Sequence, residues 1–355
     1  MGLCISKQSS TYVDRHDSIN NTQRENAAVS PSTSAEVNTH ASPFSQLPRR
    51  ARRKAESLAN TLRLANNVNP QLAHYAQRVL DTVTTSQTTR EISNLDARNL
   101  AILADTYNDK YPGLNLQCAR TPTEFRAALA TTHAASWRSI AILDPRGSHR
   151  IAIDVRTHDD GRRSLLVMET TQALKHDPHG QPMLQNGYHE FIDALNHEFG
   201  ANARMAVIDV KAQKSKIGCQ PFCFNFALHA FHHSQFFDDL HQRLHDQGVC
   251  FQSGNKSAHV NGTEYIDGTK ILPAVFYKHA ESRGTVDTVV KAQPGLAHKN
   301  VSTSNNGPTE TLRERVNAFR IQRDALAYSM SIEASRMHKI QEAIVHDSRS
   351  NSSES

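Results

Sequence analysis

The sequence predicts a mixed α/β (α+β) fold, and three observations carry that expectation. Helix-like and strand-like apolar patterns alternate between about residues 95 and 231. Two of the strand-like runs flank one polar turn as a hairpin, and no pattern recurs at a fixed period. With 355 residues, 38% of them hydrophobic, the chain holds enough apolar material for one sizeable core or two small ones. Forty Lys and Arg stand against 35 Asp and Glu, a net charge of +5. That surplus is too small for the whole molecule to be a polyanion binder, so any basic function has to be local. A mean hydropathy of −0.56 with 6% aromatic residues points to long polar segments. No apolar stretch reaches the roughly 18–20 residues that span a bilayer, which argues against an integral membrane helix. The five cysteines, at 4, 118, 219, 223 and 250, form no CxxC pair. They argue against a disulfide scaffold or a structural zinc module and for a reducing compartment.

In chain order, residues 1–48 are rich in Ser, Thr, Asn and Gln and read as a flexible leader. Ordered structure is expected from Arg49, where the basic run 49–54 leads into helical spacing at Leu58, Leu62 and Ala65. The pattern resumes at Leu72, Tyr75, Val79 and Leu80 after an Asn-Pro turn near 66–70. A helix over 95–107 stops before the turn Lys110-Tyr111-Pro112-Gly113, a short strand follows over 114–118, and Thr121-Pro122 opens a helix to Ala130. Strands are expected over 139–143, 149–155 and 164–169, the last two joined by the turn 157–161. A helix over 188–198, a strand over 205–210 and an apolar helix over 219–231 complete the core. Residues 309–344 have helical spacing, with Thr311-x-x-Glu314 as a capping box.

The chemistry concentrates at three places. His149 begins one strand of the hairpin and Glu169, twenty residues on, ends the other, so pairing brings them to the same end of the sheet, where a carboxylate can hold the imidazole tautomer. Cys219 heads an apolar helix, where the positive end of the helix dipole and a nearby histidine favour the thiolate. Gln213, six residues earlier, stands where its amide could donate to a developing oxyanion. From the residues alone, a Cys-His-Glu triad competes with the plainer reading of Cys219 as a buried inert thiol.

The order of His, an acidic residue twenty on, then Gln and Cys six apart resembles the YopJ family of bacterial type III effectors, in the CE clan of cysteine-protease-like folds. The stretches Asp96-Ala97-Arg98-Asn99-Leu100, 107–116 and 272–279 add to the resemblance, which covers about residues 90–280. The start Gly2-Leu3-Cys4-x-Ser6-Lys7 is similar to the plant-pathogen branch of XopJ-like and HopZ-like proteins. Cys223 and Pro221 depart mildly from the family pattern. The resemblance implies a CE-clan catalytic core with a helical regulatory region built from both flanks. The expected organisation is a secretion and lipidation leader (1–48), an N-terminal helical part of the regulatory region (49–95), a catalytic core (96–254), a C-terminal regulatory part (255–345) and a disordered tail (346–355). It implies acetyl transfer from acetyl-coenzyme A through a Cys219 thioester to Ser, Thr or Lys of host signalling or immune proteins. His149 would be base and acid, Glu169 its orienter and Gln213 the oxyanion donor. Lys214, Ser215 and Asn225 are expected at the cofactor.

The resemblance also implies activation by inositol hexakisphosphate, which needs convergent cations. The expected set is Arg49, Arg50, Arg98, Lys278, His279, Arg313, Arg320 and Arg323, the last three on one helix; Lys278 also matches the family's autoacetylated lysine. Gly2 fits the N-myristoylation pattern, and Cys4 beside it a second acyl site, together an anchor at the host plasma membrane after type III delivery. Two rivals remain: a cysteine protease or deubiquitinase-like hydrolase with the same triad, and a non-catalytic membrane-associated interaction protein. A metal site at His229/His233 or His241/His245 is not expected, for want of an HExxH motif or a third ligand, and neither is nucleic-acid binding, for want of a recognition motif.

Overall fold

A computed structural model describes residues 42–65, 68–85, 89–144, 149–252, 255–302, 309–323 and 326–353. Three helices come first, α1 (Arg49–Leu64), α2 (Pro70–Thr85) and α3 (Arg90–Lys110), then β1 (Leu116–Ala119), α4 (Pro122–Thr131), β2 (Ser136–Ile142), β3 (Arg150–Thr157) and β4 (Arg163–Glu169). A small hairpin, β5 (Leu174–His176) with β6 (Pro182–Leu184), precedes α5 (Tyr188–Phe199), β7 (Ala203–Asp209), α6 (Cys219–His232) and α7 (Ser234–Gln247). After β8 (Ser257–Val260), β9 (Thr263–Asp267) and α8 (Arg283–Ala292), the chain ends in α9 (Leu312–Ala318), the hairpin β10 (Arg320–Arg323) and β11 (Leu326–Ser329), and α10 (Ser331–Ser353).

The large sheet has the order β1-β2-β3-β4-β7-β9-β8. Its middle is the expected hairpin, antiparallel with Ala152 opposite Met168, and β7 runs parallel to β4 with Asp209 opposite Glu169. Alternation divides the core. Ile151, Ile153, Val155, Leu165 and Val167 face α4 and α5 in a cluster with Phe125, Trp137, Tyr188 and Phe191. Ala152, Leu166, Met168 and Ile208 face the opposite side, in a cluster with Phe222 and Phe226 of α6, Tyr75 of α2 and Ile340 of α10. Each such large side chain, fully buried, contributes about 1.5–3 kcal/mol, so α6 is fixed across the sheet on the side where α1, α2, α3 and α10 also pack.

Two expectations change at the C-terminal end. The helical spacing over 309–344 resolves into α9, the hairpin β10–β11 and α10, because the helix opened by the Thr311–Glu314 capping box stops at Ala318. The polar segment expected to begin a disordered tail at 346 continues as helix to Ser353. Gly2 and Cys4 lie outside the described residues. Among the described residues no helix is long and apolar enough to cross a membrane.

Candidate active site and basic pocket

The hairpin register sets the first half of the site. His149 precedes β3 and Glu169 ends β4, and their side chains meet with Nε2 and Oε2 2.8 Å apart. Glu169 is fully buried. Its Oε1 accepts the backbone N–H and the hydroxyl of Thr171, both at 2.8 Å, and Oε2 also accepts the Tyr188 hydroxyl at 2.9 Å. Burial alone would raise its pKa, but the bonds from His149 and Thr171 outweigh burial and hold it below the usual carboxylate range.

Cys219 supplies the other half as the first residue of α6. The turn into that helix needs φ of 90° at Gly218, a left-handed conformation that a side chain would strain. No side chain caps the helix, so its first N–H groups remain turned toward whatever reacts at Cys219. The thiol sulfur accepts the Arg150 N–H at 3.3 Å and shares a hydrogen bond with the His149 ring. Since Nε2 is committed to Glu169, Nδ1 is the nitrogen left to take the thiol proton. Burial opposes charge on His149, yet the bonds to Cys219 and Glu169 outweigh it and raise its pKa to about 10.

Gln213 departs from its expected role. Its amide N–H groups are spent on the carbonyls of Ser215 (2.9 Å) and Ile217 (3.2 Å), and its Oε1 accepts the Thr170 hydroxyl at 2.7 Å. It therefore braces the loop before Cys219 rather than offering a donor to an oxyanion. Lys214 and Ser215 turn their backbone N–H groups onto Glu281 at 2.5 and 2.7 Å, so only the exposed Lys214 side chain is open to a cofactor. Asn225 is buried, bonding Lys339 Nζ at 2.8 Å and the Pro221 carbonyl at 2.7 Å; it bolts α6 to α10 and is closed to a ligand. Cys223 donates to the Arg150 carbonyl at 3.1 Å, and burial pushes its thiol well up, leaving it inert.

A cleft of about 560 Å³ is lined by Gln71, His74, Arg98, Cys118, Arg120 and Arg150, among others, and Arg150, whose backbone N–H reaches the Cys219 sulfur, is the lining residue that ties it to the nucleophile. Arg98 thus stands with Arg120 and Arg150, not with the C-terminal cations.

A second basic site lies where α1 and α10 pack together. Lys278 and His279 are buried beside Arg315 of α9 and Lys339 of α10. Arg50 and Arg315 share Glu310, the latter at 3.1 Å, and the Ser331 hydroxyl bonds Arg315 Nε (3.1 Å) and His279 Nδ1 (2.9 Å). Burial, Arg315 and Lys54 lower the pKa of Lys278 to about 8; Glu310 opposes them. Burial and the nearby lysines lower that of Lys339 to about 7. His279 is driven well below the histidine range by the same causes. Arg315 and Lys339 are central to this cluster, yet neither was among the expected members. Of the expected members, Arg49 is exposed at the start of α1, and Arg313 is exposed and pairs with Asp287 at 2.9 Å. Arg320 and Arg323 lie on β10, because α9 ends before them, so the three arginines do not share a helix. The histidine pairs have separate partners: His241 bonds Asp154 (2.9 Å) and Ser164 (2.7 Å), His245 bonds Asp160 and Asp246, and His233 bonds the His229 carbonyl. No group of three or more metal-ligand side chains converges among the described residues.

Known proteins share this architecture and sequence. HopZ1a of Pseudomonas syringae pv. syringae, a serine/threonine-protein acetyltransferase, is 25% identical over 320 residues, covering 80% of this chain and 85% of that protein. A serine/threonine-protein acetyltransferase of Sinorhizobium fredii is 30% identical over 213 residues, 59% of this chain and 79% of its own length. The crystal structure of HopZ1a in complex with IP6 matches with a TM-score of 0.73 at 23% identity, over 84% of this chain and 99% of that one. AvrA with IP6 and CoA matches at 0.61 and 18% identity, over 81% and 98%. The family model for the YopJ serine/threonine acetyltransferases matches residues 72–342, and the chain belongs to that family.

Proposed function

We propose that this protein is an acetyl-coenzyme A-dependent acetyltransferase in which Cys219, His149 and Glu169 carry the acetyl group to protein acceptors and an inositol polyphosphate switches the reaction on. The observation that carries the reading is the Glu169–His149 contact at 2.8 Å beside a cysteine at an uncapped helix N-terminus. Cys219 as thiolate attacks the thioester carbonyl, and the oxyanion meets the N–H groups of Cys219 and Gln220 at the start of α6, Pro221 having none to give. The coenzyme A thiolate leaves and takes the proton from His149. In the second half, His149 removes the proton of an acceptor hydroxyl or amine as it attacks the acetyl-cysteine, and the Cys219 thiolate leaves.

Two basic places suit two different anions. The cleft with Arg98, Arg120 and Arg150 opens beside Cys219 and suits the phosphates of coenzyme A, with Lys214 at its loop. Part-buried Arg50, Lys54 and Arg315 stand with the buried Lys278 and Lys339 in a concentration of positive charge that Glu310 only partly offsets, beside the uncharged His279, and this cluster suits inositol hexakisphosphate. HopZ1a and AvrA were each solved with IP6 and CoA, which supports these two ligands. On this reading residues 49–95 and 255–353 form the regulatory region around the core 96–254. Lys278 is the autoacetylation candidate, its lowered pKa favouring the nucleophilic amine. Delivery by a type III system into a host cell, host signalling or immune proteins as acceptors, and a plasma-membrane anchor at acylated Gly2 and Cys4 complete the reading.

Purified protein with radiolabelled acetyl-coenzyme A, inositol hexakisphosphate and a eukaryotic extract tests it. Label on protein that vanishes in Cys219→Ala and without the polyphosphate is expected. Label that persists in that variant overturns it, and cleavage of a ubiquitin-like conjugate in its place supports the hydrolase.

A further inference from the structure

Four consecutive residues join the basic pocket to the loop that carries the nucleophile. Lys278 and His279 stand in the pocket, and Glu281, buried to 8% exposure, reaches the other way. Its carboxylate takes the N–H groups of Lys214 and Ser215 on one oxygen, at 2.5 and 2.7 Å, and the Ser215 hydroxyl on the other, at 2.7 Å. Its own backbone is tied on both sides, its N–H to the Ala212 carbonyl (3.1 Å) and its carbonyl to the Ser329 N–H (2.8 Å). The segment between is a tight turn closed by the Ala280 N–H on the Tyr277 carbonyl at 2.9 Å, and the Lys278 carbonyl accepts the Ser331 hydroxyl at the head of α10. The clamped loop, 213–218, delivers Cys219. Two adjacent N–H groups and a hydroxyl converging on one buried carboxylate make a charge-assisted contact that has little freedom to rearrange.

We propose that Glu281 is a positioning residue that couples occupancy of the basic pocket to the geometry of the Cys219 loop. An anion that draws in the Lys278 ammonium sets the turn, and the turn sets where Glu281 holds Lys214 and Ser215. This proposal rests on the reading of the pocket as an inositol polyphosphate site and names the wire from that site to the nucleophile. Removing the carboxylate leaves the cations of the pocket in place and two loop N–H groups without their acceptor, so binding and activation should separate.

The test uses full-length protein, inositol hexakisphosphate as probe, calorimetry for binding, and the rate of Cys219 alkylation by iodoacetamide with and without the probe. In Glu281→Ala the dissociation constant is expected to stay near that of the parent while the ratio of alkylation rates with and without probe falls to about one. Glu281→Gln, which keeps one acceptor oxygen, is expected to recover part of the ratio. Ser215→Ala, a milder loss on the loop side, is expected to lower it in the same direction and serves should Glu281→Ala fail to fold. A parent-like ratio in both Glu281→Ala and Ser215→Ala overturns the coupling. Failure of the parent to bind the probe overturns the polyphosphate reading itself, a result distinct from failure of the coupling.

Discussion

The catalytic cluster and the basic pocket are both buried, yet they treat charge in opposite ways. Around Cys219 each charge has its partner: Glu169 is surrounded by His149, Thr171 and Tyr188, and His149 lies between carboxylate and thiol. In the basic cluster, burial and then neighbouring cations depress the pKa values of Lys54, Lys278, Arg315 and Lys339, with Glu310 and Glu342 too few to balance them. A buried charge without compensation is costly. One region is therefore assembled for chemistry in the free protein, while the other is left unbalanced until an anion arrives.

The largest expected effect is on the paired side. His149→Ala removes the group that exchanges protons with the thiol and the leaving group, and should lower the acetylation rate about 100- to 10,000-fold. Circular dichroism should remain that of the parent; a fall below tenfold would mean that another base serves Cys219.

The unpaired side should respond to ligand more than to mutation alone. At 100 times its dissociation constant, inositol hexakisphosphate is expected to stabilise the protein by about 2.7 kcal/mol, read as a thermal shift. Arg315→Ala, which removes a cation from the centre of the pocket, should abolish most of that shift. Arg313→Ala should leave it intact and change stability by less than about 1 kcal/mol, since Arg313 meets Asp287 at the surface, half exposed. Equal effects of the two would dissolve the distinction between pocket and surface.

The two regions also separate by pH. Lys339 and Lys278 have folded-state values of about 7 and about 8, below the 10.5 of an unburied lysine. Between those values the unfolded chain binds more protons than the folded one. The penalty for these lysines is thus full below about pH 7 and is relieved as pH rises toward 10.5. These lysines should add stability across that range while polyphosphate affinity falls, because the anion needs the protonated amines. His149 has the opposite sign: its value is raised to about 10, so its contribution is present below about 6.5 and is lost as pH rises through 10. Lys339→Met should flatten the first slope, measured by denaturant unfolding between pH 7 and 9, and leave the second.

The paired region was legible in the sequence because its parts are local. His149 and Glu169 sit at one end of a hairpin whose alternation fixes the register, and Cys219 starts an apolar run that can only be a buried helix. The strands β1 to β4 and β7 were expected there but not their order in the sheet, and β8 and β9, short polar runs, gave no alternating signal. The unpaired region was legible only in part. Lys278 and His279 were named through the family resemblance, but Arg315 and Lys339 join them across 37 and 61 residues of chain, through a hairpin that helical spacing concealed. Glu281 could not be found from spacing at all, since its partners Lys214 and Ser215 are 67 and 66 residues away. Gln213 shows the converse: the residue was found, but which atoms its amide faces depends on the fold of the loop.

On the proposed mechanism the Cys219 relay stands assembled and anion binding at the basic cluster switches it on. Full-length protein mixed with acetyl-coenzyme A, quenched in acid before turnover and digested for mass spectrometry, tests it most directly. The expected result is one acetyl group on the peptide containing Cys219, formed with inositol hexakisphosphate and scarcely without it. Acetylated acceptor accompanied by no acetyl on that peptide at any quench time, or equal acetyl with and without the polyphosphate, would contradict the account.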